Sequence, residues 1–414
     1  MRNVIWLVLL FAVAVVAALT LGDNDGLVSV YWAGWRLDLS LNFFLIAALA
    51  IGFATVTAVQ AVGSLVGLPA RAREWRALRL ERAAQAALRE AQAEYLAGRF
   101  SRAHKAAQRA IAVQPEVPVL AEDAVFRTLA QLLAASSLHR LQDRSRRDEL
   151  LQPALRGGRR AGQAAVDDGA RLLAAEFALD DRDGERASAL LAELPPGTAR
   201  RTQALRLRLQ AARLERRPLD ALHTARLLAN HQAFSPAAAQ GLLRSLAIEA
   251  LEAAHDADQL RRVWQQFDTA DQRDAYVAAR AARRAAALGA ADDGRGWLRP
   301  LWDRLEPLGA DGRAEVAGAL ADCSAGLGAD WLARVEAAQR AYPAESAVQA
   351  AVGAVLVERQ LWGKARAPLE QAAGDAALPA GTRRRAWRAL ARLAEAEGDE
   401  ARVIACCRAA AEID

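Results

Sequence analysis

A metal or catalytic centre would need histidines, cysteines or paired carboxylates at workable spacing, and this chain offers few. The histidines are His104, His139, His223, His231 and His255. Only His223 and His231 are near each other, eight residues apart, and that spacing is out of register for one helical face. Solvent-facing imidazoles are the expectation. The cysteines are Cys323, Cys406 and Cys407. An odd count with a vicinal pair builds no disulfide framework, and no Cys/His spacing fits structural zinc. Cys406-Cys407 could ligate a haem iron as thiolate, but no Cys-x-x-Cys-His attachment and no Cys-Pro pair is present, and packing on an Ala-rich helix is the simpler reading. Asp180-Asp181-Arg182-Asp183 and Asp292-Asp293 fall at turn-like sites and read as helix caps rather than acid/base pairs. There is no Walker A loop, nucleophile elbow or zincin motif. Gly294-Arg295-Gly296 is a fragment of a dinucleotide fingerprint with no strand before it. The expectation is therefore a protein that is not an enzyme and holds no metal or cofactor.

The basic and aromatic residues are more numerous. Of 414 residues 54 are basic and 49 acidic, a net charge of +5. Lys105 and Lys364 are the only lysines, so nearly all the positive charge is arginine. Together with abundant alanine this reads as a compositional bias, and no nucleic-acid partner is expected. The stretch from Arg140 to Arg160 mixes both signs and reads as a solvated helix and turn. Trp264, Trp297, Trp302, Trp331, Trp362 and Trp387 have helical surroundings and are expected between packed helices. The sharper alternative is a groove of aromatics and arginines that holds a partner peptide or a flat anionic tetrapyrrole.

The elements that must position these residues divide at one boundary. Residues 1–70 carry two basic and three acidic side chains, and 71–414 are charge-dense. Val4 to Leu21 is 18 residues without a charge, about 27 Å as a helix. A cleaved signal peptide is the other reading of that run, but no small-x-small site precedes Asp23, and a second run follows. From Leu39 to Ala70 there is again no charge, and residues 41–68 are expected to span a bilayer. The loop 22–40 has alternating Val28, Val30, Trp32 and then Trp35, Leu37, Leu39 around Ala33-Gly34, which predicts a small β-hairpin with Tyr31, Trp32 and Trp35 at the membrane interface. Pro69 is expected to break the second span. Arg71, Arg73, Arg76, Arg79 and Arg82 follow it, diluted by Glu74 and Glu81 and able to face anionic head groups, while the loop has a net charge of −2. The positive-inside rule then puts both termini in the cytoplasm and the hairpin outside.

Residues 71–414 read as stacked helix pairs. Ala103, Ala107 and Ala110 with Pro115 show the small-residue frame of the second helix of a tetratricopeptide-type repeat, whose period is about 34 residues. Ala187 with Leu191 and Leu194 recurs one such period later as Ala221 with Ala225 and Leu228. Trp331 with Val335 and Ala338 recurs at the same offset as Ala365 with Leu369 and Ala372. Gly353 takes the small position of the preceding helix, and a degenerate last unit runs from Trp387 to about Ile413 around Gly398. The expected fold is all-α: two N-terminal transmembrane helices in a membrane anchor of residues 1–70, then a tetratricopeptide-like α-solenoid over 71–414.

With these features the chain resembles the HemY family of proteobacterial inner-membrane proteins. The resemblance rests on the two spans around a short hairpin, the basic stretch, the helical body, and above all Leu361-Trp362-Gly363-Lys364-Ala365-Arg366 followed by Pro368-Leu369-Glu370. Ala250 to Trp302, with Trp264, Tyr276, Ala279 and Trp297, is also similar. The resemblance implies a multi-pass inner-membrane scaffold linked to a late step of protoheme synthesis, whose partners are enzymes of that pathway and membrane lipid. Within the family-like stretch, Trp362 and Lys364 are the candidate partner-binding residues. Haem or porphyrin binding stays open with no motif behind it, and so does an envelope or secretion adaptor of the same fold.

Overall fold

The computed structural model describes residues 25–156 and 162–413, together with Phe11 and Val13. The expected first span, 4–21, otherwise lies outside the described residues. Two compact units divide the chain, Met1–Leu150 and Leu151–Asp414.

The first unit opens with the expected hairpin. Strands β1 (Leu27–Trp32) and β2 (Trp35–Ser40) pair antiparallel with Val28 opposite Leu39, Val30 opposite Leu37 and Trp32 opposite Trp35. That register puts all six apolar side chains on one face and leaves Ser29, Arg36 and Asp38 on the other. Ala33 (φ 48) and Gly34 (φ 85) are both left-handed, the backbone a two-residue hairpin of this twist requires. Trp32 and Trp35 are each 77% exposed.

Helix α1 (Leu41–Leu96) follows at once, capped by the Ser40 hydroxyl, which accepts from the Phe43 amide at 3.3 Å. Its stretch Leu41–Gln60 has a mean hydropathy of 2.1 with none of it buried, and it is long and apolar enough to cross a membrane. The hydroxyl of Thr55 bonds the carbonyl of Ile51 at 2.7 Å, and that of Thr57 bonds the carbonyl of Phe53, so each polar group is satisfied within the helix. The expected break at Pro69 does not occur. One helix runs through residue 69 into the first repeat, because the intact bonds on either side outweigh the single one a proline removes. The far end of α1 packs Ala84, Ala87 and Ala91 against Ala106, Ala107 and Ala110 of α2 (Phe100–Val113) and against Phe126, Ala130 and Ala134 of α3 (Ala124–Arg140). Small side chains permit this close approach. Between α2 and α3 the fully buried Gln114 donates to the carbonyls of Leu120 and Asp123, both at 2.8 Å, and accepts from Arg127 at 3.0 Å. Helix α4 (Arg144–Arg156) follows.

The second unit is a succession of helix pairs: α5 (Ala164–Asp180) with α6 (Gly184–Ala192), a short α7 (Pro196–Ala199), α8 (Thr202–Leu214) with α9 (Pro218–Asn230), and α10 (Pro236–Glu252) with α11 (Ala257–Gln265). After a short α12 (Thr269–Gln272) come α13 (Ala275–Ala287) with α14 (Ala291–Trp302), α15 (Ala310–Asp322) with α16 (Leu332–Ala341), α17 (Ser346–Glu358) with α18 (Trp362–Gly374), and α19 (Ala380–Glu397) with α20 (Glu400–Ala411). First helices of successive pairs begin at positions 202, 236, 275, 310, 346 and 380, which keeps each pair at or slightly above the tetratricopeptide period. The predicted frame holds. Ala187, Ala221, Ala225, Leu228, Val335, Ala365 and Ala372 are all 0–1% exposed, and they lie at the pair interfaces. Trp264, Trp302 and Trp331 are core, with Trp264 stacked on half-buried Trp297 at 4.9 Å between centroids.

Several of the turns within pairs share one design. The N–H two residues past the C-cap bonds a carbonyl five residues earlier, as in Asp183 to Ala178 (2.8 Å), Arg217 to Ala212 (2.8 Å) and Leu361 to Leu356 (2.8 Å). The residue between is left-handed: Gly98, Gln142, Arg182, Arg216, Gly289 and Gln360, with φ from 55 to 76°. Four of these are not glycine and carry the steric penalty of that conformation. Arg216 is exposed, so its backbone can be tested cleanly. We expect Arg216→Gly to be about 1 kcal/mol more stable than Arg216→Ala in urea unfolding followed by circular dichroism, and equal stabilities would refute a strained turn.

Some of the arginines form rungs between neighbouring pairs. Arg244 with Asp274 (2.7 Å), Arg261 with Asp293 (2.6 Å), Arg283 with Glu315 (2.7 Å) and Arg313 with Glu345 (2.6 Å) join residues 30 to 32 apart, close to one repeat. Half-exposed pairs of this kind contribute up to about 1 kcal/mol each and mainly fix register.

Candidate partner-binding site

Trp362 and Lys364 sit in the first turn of α18, after the left-handed Gln360. Two residues apart on a helix, they point to different sides, so the structure does not bring them together. Trp362 is half-buried. Lys364 is exposed, and its Nζ bonds Oε1 of Glu336 at 2.8 Å. That bond and the ammonium charge hold Glu336 below the usual carboxylate range. The pair is therefore fully formed above that range and is released only as pH falls through the lowered value.

Two clefts of the second unit lie elsewhere, on both sides of the loop 303–309 that joins α14 to α15. One cleft, of about 680 Å³, is lined by Trp302, Asp303, Arg304 and Leu305 and by the face of α16 that carries Ala333, Arg334, Ala337 and Tyr342. Trp302 Nε1–H donates to the carbonyl of Arg334 at 3.4 Å, and Arg334 pairs with Asp303, so the floor is fixed. The second cleft, of about 480 Å³, lies between α10, α13 and the start of α15. There Arg244 lies 4.0 Å above the Tyr276 ring and grips Asp274 through two nitrogens. Arg304 and Arg273, one in each cleft, are exposed and form no ion pair among the described residues. Walls of aromatic, alanine and mostly neutralised charge suit a polypeptide surface better than a small anion. Sequence reasoning marked the aromatics Tyr276 and Trp302 separately. It missed that the loop sets them along two clefts.

No group of three or more His, Cys, Asp or Glu at metal-binding geometry occurs among the described residues. His223, His231 and His255 face solvent as expected, but His139 does not. It is buried, with Nδ1 3.0 Å from Nη1 of Arg147, itself 2% exposed. The stretch around Arg147 is thus solvated only on its outer side. Asp183 caps α6 as expected, its carboxylate accepting from the Arg186 amide at 2.9 Å. Asp292 and Asp293 do not cap; they lie in the first turn of α14 and hold Arg295 and Arg261. Cys406 is buried and Cys407 exposed. Burial pushes the Cys323 thiol up to about 11 although Arg295 and Arg283 pull it down. Only about one part in a thousand is then thiolate at pH 8. Iodoacetamide is expected to label Cys407 in the native chain and Cys323 only after denaturant is added, as read by mass spectrometry; native labelling of Cys323 would contradict its burial.

A chain of the solved structure described as "Structure of Naa15/Naa10 bound to HypK-THB" is similar at 13% identity and a TM-score of 0.25, over 75% of this chain and 56% of that one. No curated protein matches. Residues 26–142, which hold the hairpin, α1, α2 and α3, match the family model described as HemY protein N-terminus, and over that segment the chain is similar to the HemY family.

Proposed function

We propose that the chain is a membrane-anchored scaffold that holds proteins of a late step in protoheme synthesis on the surfaces of its helical repeats, without catalysis of its own. The observation that carries this reading is one of continuity. The helix with the exposed apolar stretch Leu41–Gln60 is the same helix that begins the first repeat, and its segment is the one the HemY family model matches. Stacked helix pairs present long binding surfaces without chemistry, and tethering to a membrane raises the local concentration of whatever they hold. The arginines after the apolar stretch favour a cytoplasmic repeat domain, with the hairpin on the outer side. The clefts beside loop 303–309, with Arg304 and Arg273, are the favoured docking places; Trp362 and Lys364 are secondary.

Affinity capture of the full chain from crosslinked, detergent-solubilised membranes tests this reading. Enrichment of tetrapyrrole-synthesis enzymes is the expected result, and loss of that enrichment in an Arg304→Glu variant would place the contact at the first cleft. A partner set made only of division or secretion proteins would assign the chain to an envelope adaptor instead. A reporter fused to the carboxyl end checks orientation, and signal on the outer side would reverse it.

A further inference from the structure

Between its apolar stretch and its first packed alanine, α1 carries a segment that the repeats do not use. At 100° per residue, Ala84, Ala87 and Ala91 share the side that packs on α2. Trp75, Leu78 and Arg82, spaced i, i+3 and i+7, share the opposite side, and Arg79 borders them. Trp75 is 61% and Leu78 50% exposed. The guanidinium of Arg79 lies 5.4 Å from the centroid of the Trp75 ring. Arg73, Arg76, Arg79 and Arg82 form no ion pair among the described residues, and the nearby Glu81 is bonded instead by Gln85 at 3.2 Å. A tryptophan and a leucine left in water beside arginines that Glu74 and Glu81 offset only in part want a surface that is apolar below and anionic above.

We propose that this stripe is an anchor for anionic phospholipid, with Trp75 and Leu78 at the boundary of head groups and acyl chains and Arg79 and Arg82 on the phosphates. Two observations favour lipid over a protein partner. The stripe continues the helix that carries the apolar stretch, and Trp75 stands five residues, about 7 Å along the axis, past the uncharged run that ends at Ala70; that run from Leu41 is about 45 Å long, so a tilted span brings Trp75 to the head-group layer. The stripe also pairs an interfacial aromatic with unpaired positive charge, the combination that a membrane surface bearing negative lipid attracts. Arg82, about 18 Å past Ala70, reaches that layer when the helix leans toward the stripe.

The proposal rests on the membrane-anchored reading, which sedimentation of the full chain with vesicles after an alkaline carbonate wash checks separately. For the stripe itself, the full chain is placed in nanodiscs of phosphatidylcholine with a minority of phosphatidylglycerol, one or the other lipid brominated high on its acyl chains. The fluorescence difference between the native chain and Trp75→Phe isolates Trp75. Brominated phosphatidylglycerol should quench that component more than its mole fraction predicts, with a local enrichment of about fivefold for each engaged arginine. The double variant Arg79→Gln, Arg82→Gln, with its helicity checked by circular dichroism, should be quenched equally by both lipids. Equal quenching in the native chain would overturn the proposal. So would a Trp75 that neither lipid quenches, whether it is open to acrylamide or shielded from it by a second copy of the chain.

Discussion

Replacing Gly353 with valine should destabilise the second unit by about 3 kcal/mol. An ideal Cβ at Gly353 would lie 2.6 Å from both Cγ and Cδ2 of Leu369, which is 2% exposed in the core between α17 and α18. Neither side can yield, since Val352, Val355 and Leu356 surround the contact and are fully buried. Two effects oppose each other in Gly353→Ala. Helix propensity favours alanine by about 1 kcal/mol, while overpacking costs about 1–3 kcal/mol, so a smaller net loss is expected. Valine lacks the propensity gain and adds two methyl groups. The decisive measurement is a double-mutant cycle in urea with Leu369→Ala. If steric contact is the cause, Gly353→Ala becomes neutral or stabilising once Leu369 is shortened, with a coupling of about 1–2 kcal/mol. Strict additivity would show that the glycine has some other role.

The second large effect is expected at Arg295, whose guanidinium is buried beneath the turn after α15. Its Nη1 donates to the carbonyls of Cys323 at 2.6 Å and Ala325 at 2.7 Å, and its Nη2 is held by Asp292. Arg295→Leu removes the donors and strands the carbonyl of buried Cys323, while that of exposed Ala325 is left to water. At about 1–3 kcal/mol for a buried acceptor left unmade, a loss of roughly 2 kcal/mol follows. Asp292 is exposed and solvated without its partner, so Asp292→Asn should lose less than about 1 kcal/mol. Equal losses in the two variants would mean that the ion pair, rather than the carbonyl clamp, holds this turn.

These two sites show what the sequence made legible and what it hid. Gly353 was visible because it sits twelve residues before Ala365 in a frame that recurs from one helix pair to the next, and the frame follows from helix geometry alone. The hairpin was visible for the same reason, since the alternation of Val28, Val30 and Trp32 with Trp35, Leu37 and Leu39 around Ala33-Gly34 has one register that puts those six on one face. Gly294-Arg295 was seen only as a broken nucleotide motif. In the fold, a Cβ at Gly294 would meet Cys323 Sγ at 2.9 Å and the carbonyl of Ala282 at 3.0 Å, so the glycine serves close packing and the arginine ties a loop. Both partners lie at least a dozen residues away in sequence, and no local pattern reports them. The left-handed Gln142, Arg182, Arg216 and Gln360 were hidden because a turn normally announces itself by glycine. His139 and Arg147 were hidden because each is ordinarily a surface residue, and it takes partners, among them each other and Asp148, to make burial tolerable. The two clefts depend on where a loop folds back between pairs, which repeat spacing does not encode.

The passage of α1 without interruption from its apolar stretch to Ala84 has a mechanical consequence. A helix transmits rotation as well as position, so the azimuth of the span dictates the azimuth of the first repeat. One residue inserted between Arg76 and Arg79 would turn the two ends by about 100° relative to each other, whereas seven would restore the phase to within about 20°. An activity that tolerates seven added residues and not one or two would identify this helix as a torsional coupling rather than a tether.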